Sequence, residues 1–152
     1  MASYFEDYQV GDRKRFGAYQ VTREEVIDFA SRYDPQPFHL DDAAAAANPI
    51  FGRLSASGWH TGAMVMRMMV DEGQKTGQFS IGSPGLDEMR WLKPVYPGDT
   101  LSVETEVIEK SAPKSRPDIG FVKFRITCFN QDDEPVMRQI ASNIQPRRPV
   151  KG

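Results

Sequence analysis

The sequence predicts a single α+β domain in which an antiparallel β-sheet is wrapped around a long central α-helix. Residues 59–75 are apolar around nearly the whole circumference of a helix, which is typical of a helix buried in a core. From Gly85 onward, apolar residues instead recur at every second position, as they do in half-buried strands. At about 100–200 residues per domain, the 152 residues predict one domain over 1–152, with its core over about 10–146.

Two shorter helices are predicted before the long one. The first begins after Thr22, because Thr22 and Glu25 have the spacing of a capping box. Its apolar residues share one face: Val26, Phe29, Ala30 and Tyr33. The alanine run at residues 43–47 predicts a short second helix, which Asp41 and Asp42 are placed to cap.

The long helix is rich in methionine, and two interpretations of that composition are open. One stripe consists of apolar residues: Trp59, Ala63, Met66 and Val70. Further apolar residues cover most of the remaining surface: Met64, Val65, Met68 and Met69. We expect this helix to lie in the core, on the concave side of the sheet. The alternative is a partner-binding groove, since methionine-rich surfaces adapt to many ligands.

Two strands are predicted to pair as a long hairpin. Their apolar positions alternate with polar ones: Leu101, Val103, Thr105 and Val107, then Val122, Phe124, Ile126 and Cys128. One register places Val103 opposite Ile126. The same register places Glu104 opposite Arg125, so the core pattern and the charge pattern favour the same pairing. The connecting loop is predicted over residues 110–118.

The remaining strands are predicted over residues 90–95 and 135–145, and residues 82–85 are predicted as a turn. The charged residues between the apolar ones fit an antiparallel sheet with one face in water. Two short basic groups, at residues 13–15 and 147–148, are expected to be solvated edges.

Composition and charge exclude several classes of function. Nineteen basic and 21 acidic residues give a net charge of −2, which lacks the basic field that nucleic-acid binding needs. The longest stretch without a charged side chain, residues 54–66, is shorter than the ~20 apolar residues of a membrane span. One cysteine and two histidines cannot form a Cys/His zinc site, and no glycine-rich phosphate loop is present.

The cysteine content and the N-terminal residues bear on location. A chain with one cysteine suits a reducing compartment, and the first residues lack the basic and apolar regions of a signal peptide. We therefore expect a cytoplasmic protein.

Residues that carry chemistry are concentrated between the first two predicted helices. Asp34 and His39 form a workable acid/base pair, because histidine titrates near neutrality and a carboxylate can position it or a shared water. Pro35 and Pro37 stiffen the segment between them. A turn within the segment is required before both side chains contact one water. In the alternative interpretation both residues are structural, and His60 is expected to be satisfied by a backbone carbonyl.

A second candidate feature is the turn that leads into the long helix. Ala56, Ser57 and Gly58 are small residues that allow close approach to the backbone, and Trp59 follows them. The first N–H groups of a helix have no partner within it. A helix N-terminus beside an Asp/His pair favours chemistry that polarises a carbonyl and moves a proton.

Three segments together resemble one family. Asp34-x-Gln36-Pro37-Phe38-His39-x-Asp41 resembles the Asp-x-Asn-Pro-aliphatic-His-x-Asp motif of the MaoC-like dehydratases, the (R)-specific enoyl-CoA hydratases. Residues 56–59 are similar to the family's turn into its central helix, and residues 91–101 to its strand-turn-strand signature. The resemblance covers about residues 10–144 and implies a hot-dog fold.

The resemblance also implies an activity: reversible addition of water to a trans-2-enoyl thioester, giving an (R)-3-hydroxyacyl thioester. In the family, the motif's Asp and His hold the catalytic water, and these roles fall on Asp34 and His39. The backbone of Gly58 would bind the thioester oxygen. The substrate-binding residues around it would be Ser57, Ala56, Gln36 and Trp59. The resemblance implies an acyl-CoA or acyl carrier protein thioester as substrate, no cofactor or metal, and a homodimer.

The sequence departs from the family pattern at three positions. Gln36 replaces the usual Asn, Ser57 replaces a His, and Phe38 replaces a smaller aliphatic residue. These changes concern the acyl-chain preference more than the reaction type. The alternatives are a hot-dog acyl-CoA thioesterase, for which Asp71 and Glu72 come too late in the helix, and a non-catalytic acyl-CoA-binding subunit.

Overall fold

The computed structural model describes residues 3–150, which form a five-stranded antiparallel sheet and three α-helices. The helices are α1 (Arg23–Tyr33), α2 (Asp42–Ala46) and α3 (Gly58–Thr76). The strands are β1 (Arg13–Gln20), β2 (Gly82–Trp91), β3 (Thr100–Ser111), β4 (Ile119–Phe129) and β5 (Pro135–Pro146). Their order across the sheet is β1-β3-β4-β5-β2, and every neighbouring pair is antiparallel.

The sheet curls around α3, which is the hot-dog arrangement. Buried side chains of α3, including Met64, Val65 and Met68, form one core with inward-facing residues of the strands such as Leu101 and Val103. The predicted α+β fold, with an antiparallel sheet wrapped around a long helix, is therefore confirmed. The prediction of one domain over residues 1–152 stays a prediction.

The two shorter helices lie where the sequence places them. The Thr22 hydroxyl accepts a hydrogen bond from the Glu25 backbone N–H at the start of α1, and Asp41 caps α2 by accepting from Ala44 N–H across 2.9 Å. Within residues 3–150, no helix combines the length and the apolar character that a membrane span requires.

One face of α3 is not covered. Three residues of its predicted apolar stripe are largely open to solvent: Trp59 at 62%, Met66 at 56% and Val70 at 42% exposure. The expectation that this helix is buried nearly all round is wrong on that side, because a single sheet covers only the opposite face. We call Trp59, Ala63, Met66 and Val70 the exposed stripe.

The β3–β4 hairpin forms with a different register from the predicted one. Val103 lies opposite Cys128, and Glu106 lies opposite Arg125, with 3.3 Å between their charged atoms. The predicted pairing is wrong by two residues, and the connecting loop is shorter than predicted, at residues 112–118. A shift of two keeps every side chain on the same face, so the apolar alternation does not distinguish the two registers.

Strand β1 is absent from the sequence prediction. Its residues 13–15 are not solvated edges outside the sheet, since Arg13 and Arg15 lie in a strand paired with β3. Arg13 forms an ion pair with Glu106 across 3.2 Å. The apolar period is weak there because the strand is mostly exposed and Gly17, at φ +90°, interrupts its pairing.

Strand β2 begins and ends earlier than predicted. It starts at Gly82, where the sequence indicates a turn, and stops at Trp91, so that Val95 lies beyond it. Two bulges interrupt its pairing with β5. Because β2 is an edge strand with bulges, it tolerates the glycines and the proline that are typical of a turn.

The burial of Val103 in β3 predicts that Val→Ala lowers stability much more there than at an exposed valine. Val103 is fully buried, whereas Val10 is 63% exposed. Val103→Ala removes two buried methyl groups and leaves a cavity, so we expect the free energy of unfolding to fall by about 2–3 kcal/mol. Val10→Ala should change it by less than about 0.5 kcal/mol. Urea unfolding measures both values, and equal losses would contradict the assigned burial.

Candidate functional site

A cavity of about 400 Å³ opens at the N-terminus of α3. Six residues that the sequence singles out line it: Asp34, Gln36, His39, Ala56, Gly58 and Trp59. The seventh, Ser57, is fully buried next to it and contacts Asp34. The structure thus brings together all seven predicted site residues.

The segment after α1 folds back on itself and brings Asp34 close to His39. Asp34 is the C-cap residue that follows α1, and Pro37–His39 forms one 3₁₀ turn. The Nε2 atom of His39 lies 3.5 Å from Oδ2 of Asp34. This is the turn that the sequence requires if one water is to contact both side chains.

Asp34 is held in its ionised form by its hydrogen-bond partners. Burial raises its pKa, but hydrogen bonds from the Gln36 amide and the Ser57 hydroxyl, together with the nearby His39 ring, lower the pKa by more. Both hydrogen bonds are 2.7 Å long, one to each carboxylate oxygen. The net pKa lies below the ordinary value for an aspartate, so Asp34 is a carboxylate near neutral pH.

The His39 ring has one defined orientation. Its Nδ1 lies 2.7 Å from the Ser55 carbonyl oxygen, and a carbonyl only accepts, so Nδ1 carries a proton. In the neutral ring, Nε2 is therefore the proton acceptor, and it faces Asp34. The side chain is 4% exposed, and the rings of Phe38 and Phe51 lie 4.4 and 5.7 Å away. The His39 ring is therefore fixed by its contact with Ser55 and lies in a mostly apolar wall.

The start of α3 offers backbone N–H groups to the cavity. A helix leaves its first N–H groups unpaired, and Ser57, the N-cap residue, donates its hydroxyl to Asp34 and makes no side-chain cap. The Trp91 indole N–H donates to the Gly58 carbonyl across 2.8 Å. A Cβ atom at residue 58 would lie 2.5 Å from the Trp91 ring, so any other residue there would displace that ring.

Trp91 is a site residue that the sequence analysis did not single out. It appeared only as part of a strand-turn-strand signature, although it lines the cavity and packs against Gly58. Its ring also meets Trp59 edge to face, with 5.3 Å between the centroids. A tryptophan at the end of an edge strand gives no signal of this contact, because Gly58 is 33 residues away.

His60 joins α1 to α3 instead of binding a backbone carbonyl. Its Nε2 lies 3.1 Å from Glu25 Oε1, which also accepts from the Tyr19 hydroxyl across 2.5 Å, and its ring stacks on Phe29. The Glu25 carboxylate makes these two contacts and does not bind the Thr22 backbone N–H, so the predicted capping box is only half formed. Burial lowers the pKa of His60 more than Glu25 raises it. Burial and then Glu25 raise the pKa of Tyr19 to about 12.

The fold and the site together define a hot-dog protein with an Asp/His pair at the N-terminus of its central helix. The chain belongs to the MaoC-like domain family, whose sequence profile matches residues 8–119. A MaoC-like dehydratase from Rhodospirillum rubrum is 39% identical, with a TM-score of 0.88 over 97% of this chain and 99% of that one. The resemblance stated from the sequence motifs is therefore confirmed.

Two other proteins show how far the similarity extends. The unliganded R-hydratase PhaJ1 from Pseudomonas aeruginosa is 26% identical, with a TM-score of 0.70 over 98% of this chain and 92% of that one. The uncharacterized protein YdeM from Bacillus subtilis is 29% identical over 131 residues, which are 86% of this chain and 90% of YdeM. Two further curated relatives are longer, and the chain spans 33% and 18% of their lengths.

Substitution of Ser57 tests the contact that holds Asp34. Without the hydroxyl donor, ionised Asp34 loses a partner, so Ser57→Ala should raise its pKa toward the ordinary value. Because the carboxyl pKa is lower in the folded than in the unfolded protein, Asp34 adds to the free energy of unfolding at any pH above its unfolded-state pKa. This addition is lost as the pH falls from the unfolded-state pKa to the folded-state pKa. In Ser57→Ala the two pKa values lie closer together. Asp34 should then add less to the free energy of unfolding, and this addition should be lost over a narrower pH range.

Carboxyl ¹³C NMR titration of Asp34 measures this shift. Ser31→Ala is the matched control, because the Ser31 hydroxyl donates to the Ile27 carbonyl on the exposed side of α1. An Asp34 pKa that is the same in wild type and Ser57→Ala would show that the hydrogen bond does not hold the carboxylate.

Proposed function

We propose that this protein is an (R)-specific enoyl-CoA hydratase, or 3-hydroxyacyl-CoA dehydratase, that adds water reversibly to trans-2-enoyl thioesters. The observation that carries the proposal is the Asp34–His39 pair, 3.5 Å apart, beside the open N-terminus of α3. Membership of the MaoC-like family and the similarity to an R-hydratase support it.

The acid/base pair is arranged to hold a water molecule. Asp34 Oδ2 and, in the neutral ring, His39 Nε2 are both acceptors that face each other, so one water can donate a hydrogen to each. The water oxygen then has lone pairs free to attack C3 of the enoyl group. As its hydroxyl adds to C3, the released proton passes to the pair, and a proton is delivered to C2 on the same face.

The helix N-terminus supplies the other requirement of this reaction. Attack at C3 moves electrons onto the thioester oxygen, and the enolate-like charge that develops there needs hydrogen-bond donors. In this proposal the N–H of Gly58, which lines the cavity, is one such donor, and removal of one donor typically costs about 10²–10³ in rate. Backbone N–H groups would polarise the carbonyl in this proposal, so no cofactor or metal takes part.

Thioester hydrolysis is the less favoured activity for this site. The thioesterase alternative needs a carboxylate on or near the central helix, but Asp71 and Glu72 lie far along α3. Asp71 pairs with Arg67 across 3.1 Å, and Glu72 pairs with Lys14 across 3.0 Å. Neither residue lines the cavity that contains Asp34.

Hydration of crotonyl-CoA tests the proposed reaction directly. Loss of the enoyl-thioester ultraviolet absorbance should occur with wild type, and Asp34→Asn or His39→Gln should lower kcat/KM by about 10²–10⁴-fold, since each removes one proton-transfer group. Asp28→Asn is the matched control, because Asp28 is exposed on α1 and, among residues 3–150, pairs only with Arg32. Full activity in both site variants would sink the proposal.

We also propose that the protein is a homodimer. The exposed stripe of α3 lies open, and β2 is an edge strand that carries the exposed residues Leu86 and Trp91. Open apolar patches and unpaired edge strands are surfaces that proteins usually cover. A second copy of the chain, related by two-fold symmetry, would cover both surfaces at once.

Light scattering tests this assembly. We expect a mass of twice the 17.2 kDa chain mass at micromolar protein concentration. Met66→Lys, which places a charge in the exposed stripe, should shift the mass toward the monomer, because burying an unpaired charge is costly. Val10→Lys, at an exposed residue outside the stripe, should leave it unchanged. A monomeric wild type would refute the dimer.

A further inference from the structure

An arginine that has no carboxylate partner among residues 3–150 belongs to a segment that borders the cavity. Ile50 and Phe51 line the cavity, and Arg53 follows two residues later. The Arg53 guanidinium lies 3.9 Å from the centroid of the Tyr96 ring. Tyr96 in turn follows Val95, which lines the same cavity. Arg53 and Tyr96 do not themselves line the cavity, but each follows a segment that does.

The ring beneath Arg53 is held in place. The Tyr96 hydroxyl donates to the Phe51 carbonyl across 2.6 Å, and its backbone N–H donates to Asp99 Oδ2 across 2.9 Å. Asp99 is buried, and its other oxygen accepts from Gln131 across 3.1 Å. Tyr96 is thus a fixed platform, and a guanidinium stacked on it loses less conformational freedom when it binds an anion.

The charge of Arg53 is free for a ligand. In the described part of the chain Arg53 forms no ion pair, whereas Lys93, the cation that lines the cavity, pairs with Glu134. Stacking occupies the face of a guanidinium and leaves its in-plane N–H groups available. These donors match the oxygens of a phosphate, which arginine binds in a bidentate manner.

We propose that Arg53, stacked on Tyr96, binds a phosphate of the pantetheine carrier that delivers the substrate. The proposal rests on the proposed function, since enoyl thioesters of CoA and of acyl carrier protein both carry a phosphate at the end of the pantetheine arm. Arg53 and Gly58 are five residues apart, so their Cα atoms are separated by at most about 17 Å. A pantetheine arm spans such a distance from a thioester at Gly58.

Direct binding tests this assignment without depending on turnover. Titration calorimetry with CoA, 4′-phosphopantetheine and phosphate-free pantetheine compares wild type with Arg53→Gln. Because charge-assisted hydrogen bonds are lost, Arg53→Gln should bind CoA at least about tenfold more weakly. Its affinity for pantetheine should equal that of wild type. Arg53→Lys should recover part of the loss, since it keeps the charge but not the flat, bidentate group.

Comparison of these ligands also distinguishes the phosphate at the end of the pantetheine arm from the phosphates of the CoA nucleotide. A loss with both CoA and 4′-phosphopantetheine assigns Arg53 to the phosphate that CoA shares with acyl carrier protein. A loss with CoA alone assigns it to the nucleotide part of CoA. Equal CoA affinity in wild type and Arg53→Gln, or an equal loss with pantetheine, overturns the proposal. Arg32→Gln is the matched control, because Arg32 is exposed, pairs with Asp28 and lies outside this cavity.

Kinetics connect the same variant to the reaction. With crotonyl-CoA, Arg53→Gln should raise KM about tenfold and leave kcat unchanged, because phosphate binding is equal in the ground state and the transition state. With the crotonyl thioester of N-acetylcysteamine, which has no phosphate, neither constant should change. If wild type hydrates neither thioester, the proposed function fails, while the binding measurements still decide the role of Arg53.

Discussion

The Ser57 hydroxyl donates to Asp34 across 2.7 Å, and this contact joins the end of α1 to the start of α3. It has consequences at both ends. At Asp34 it lowers the carboxyl pKa and fixes the oxygen that faces His39. At α3 it removes the side chain that would otherwise cap the helix, which leaves the first N–H groups for a ligand. One short hydrogen bond therefore relates the Asp34–His39 pair to the helix N-terminus.

A second contact also holds α1 against the first turn of α3. His60, in the opening turn of α3, stacks on Phe29 and binds Glu25. Its Nδ1 atom is buried and has no hydrogen-bond partner among residues 3–150. A protonated ring would place an N–H there without an acceptor, so the environment favours the neutral ring, in agreement with its lowered pKa. The contact between α1 and α3 therefore holds His60 without placing a positive charge in the buried space between the two helices.

The sequence predicts elements with strong local periods and misses features that depend on distant contacts. The alternation in β3 and β4 was predictable because burial on one face imposes a period of two, and α3 was predictable from its long run of apolar residues, although its regular stripe proves to be exposed. The β3–β4 register was not, because a shift of two leaves each face unchanged. Motif order indicated Asp34, His39 and Gly58, but the Trp91 ring that packs against Gly58 comes from another part of the chain. The partner that Ser57 finds in Asp34 is likewise a tertiary contact.

Trp59 connects the open face of α3 to the cavity at its N-terminus. It belongs to the exposed stripe and also lines the cavity that contains Asp34 and His39. A surface that covers the stripe therefore also closes one wall of the cavity. Removing water from that wall would strengthen each interaction between a developing charge and a fixed N–H group, because the local dielectric falls. A sheet that covers only one face of its helix leaves this task to whatever packs on the other face.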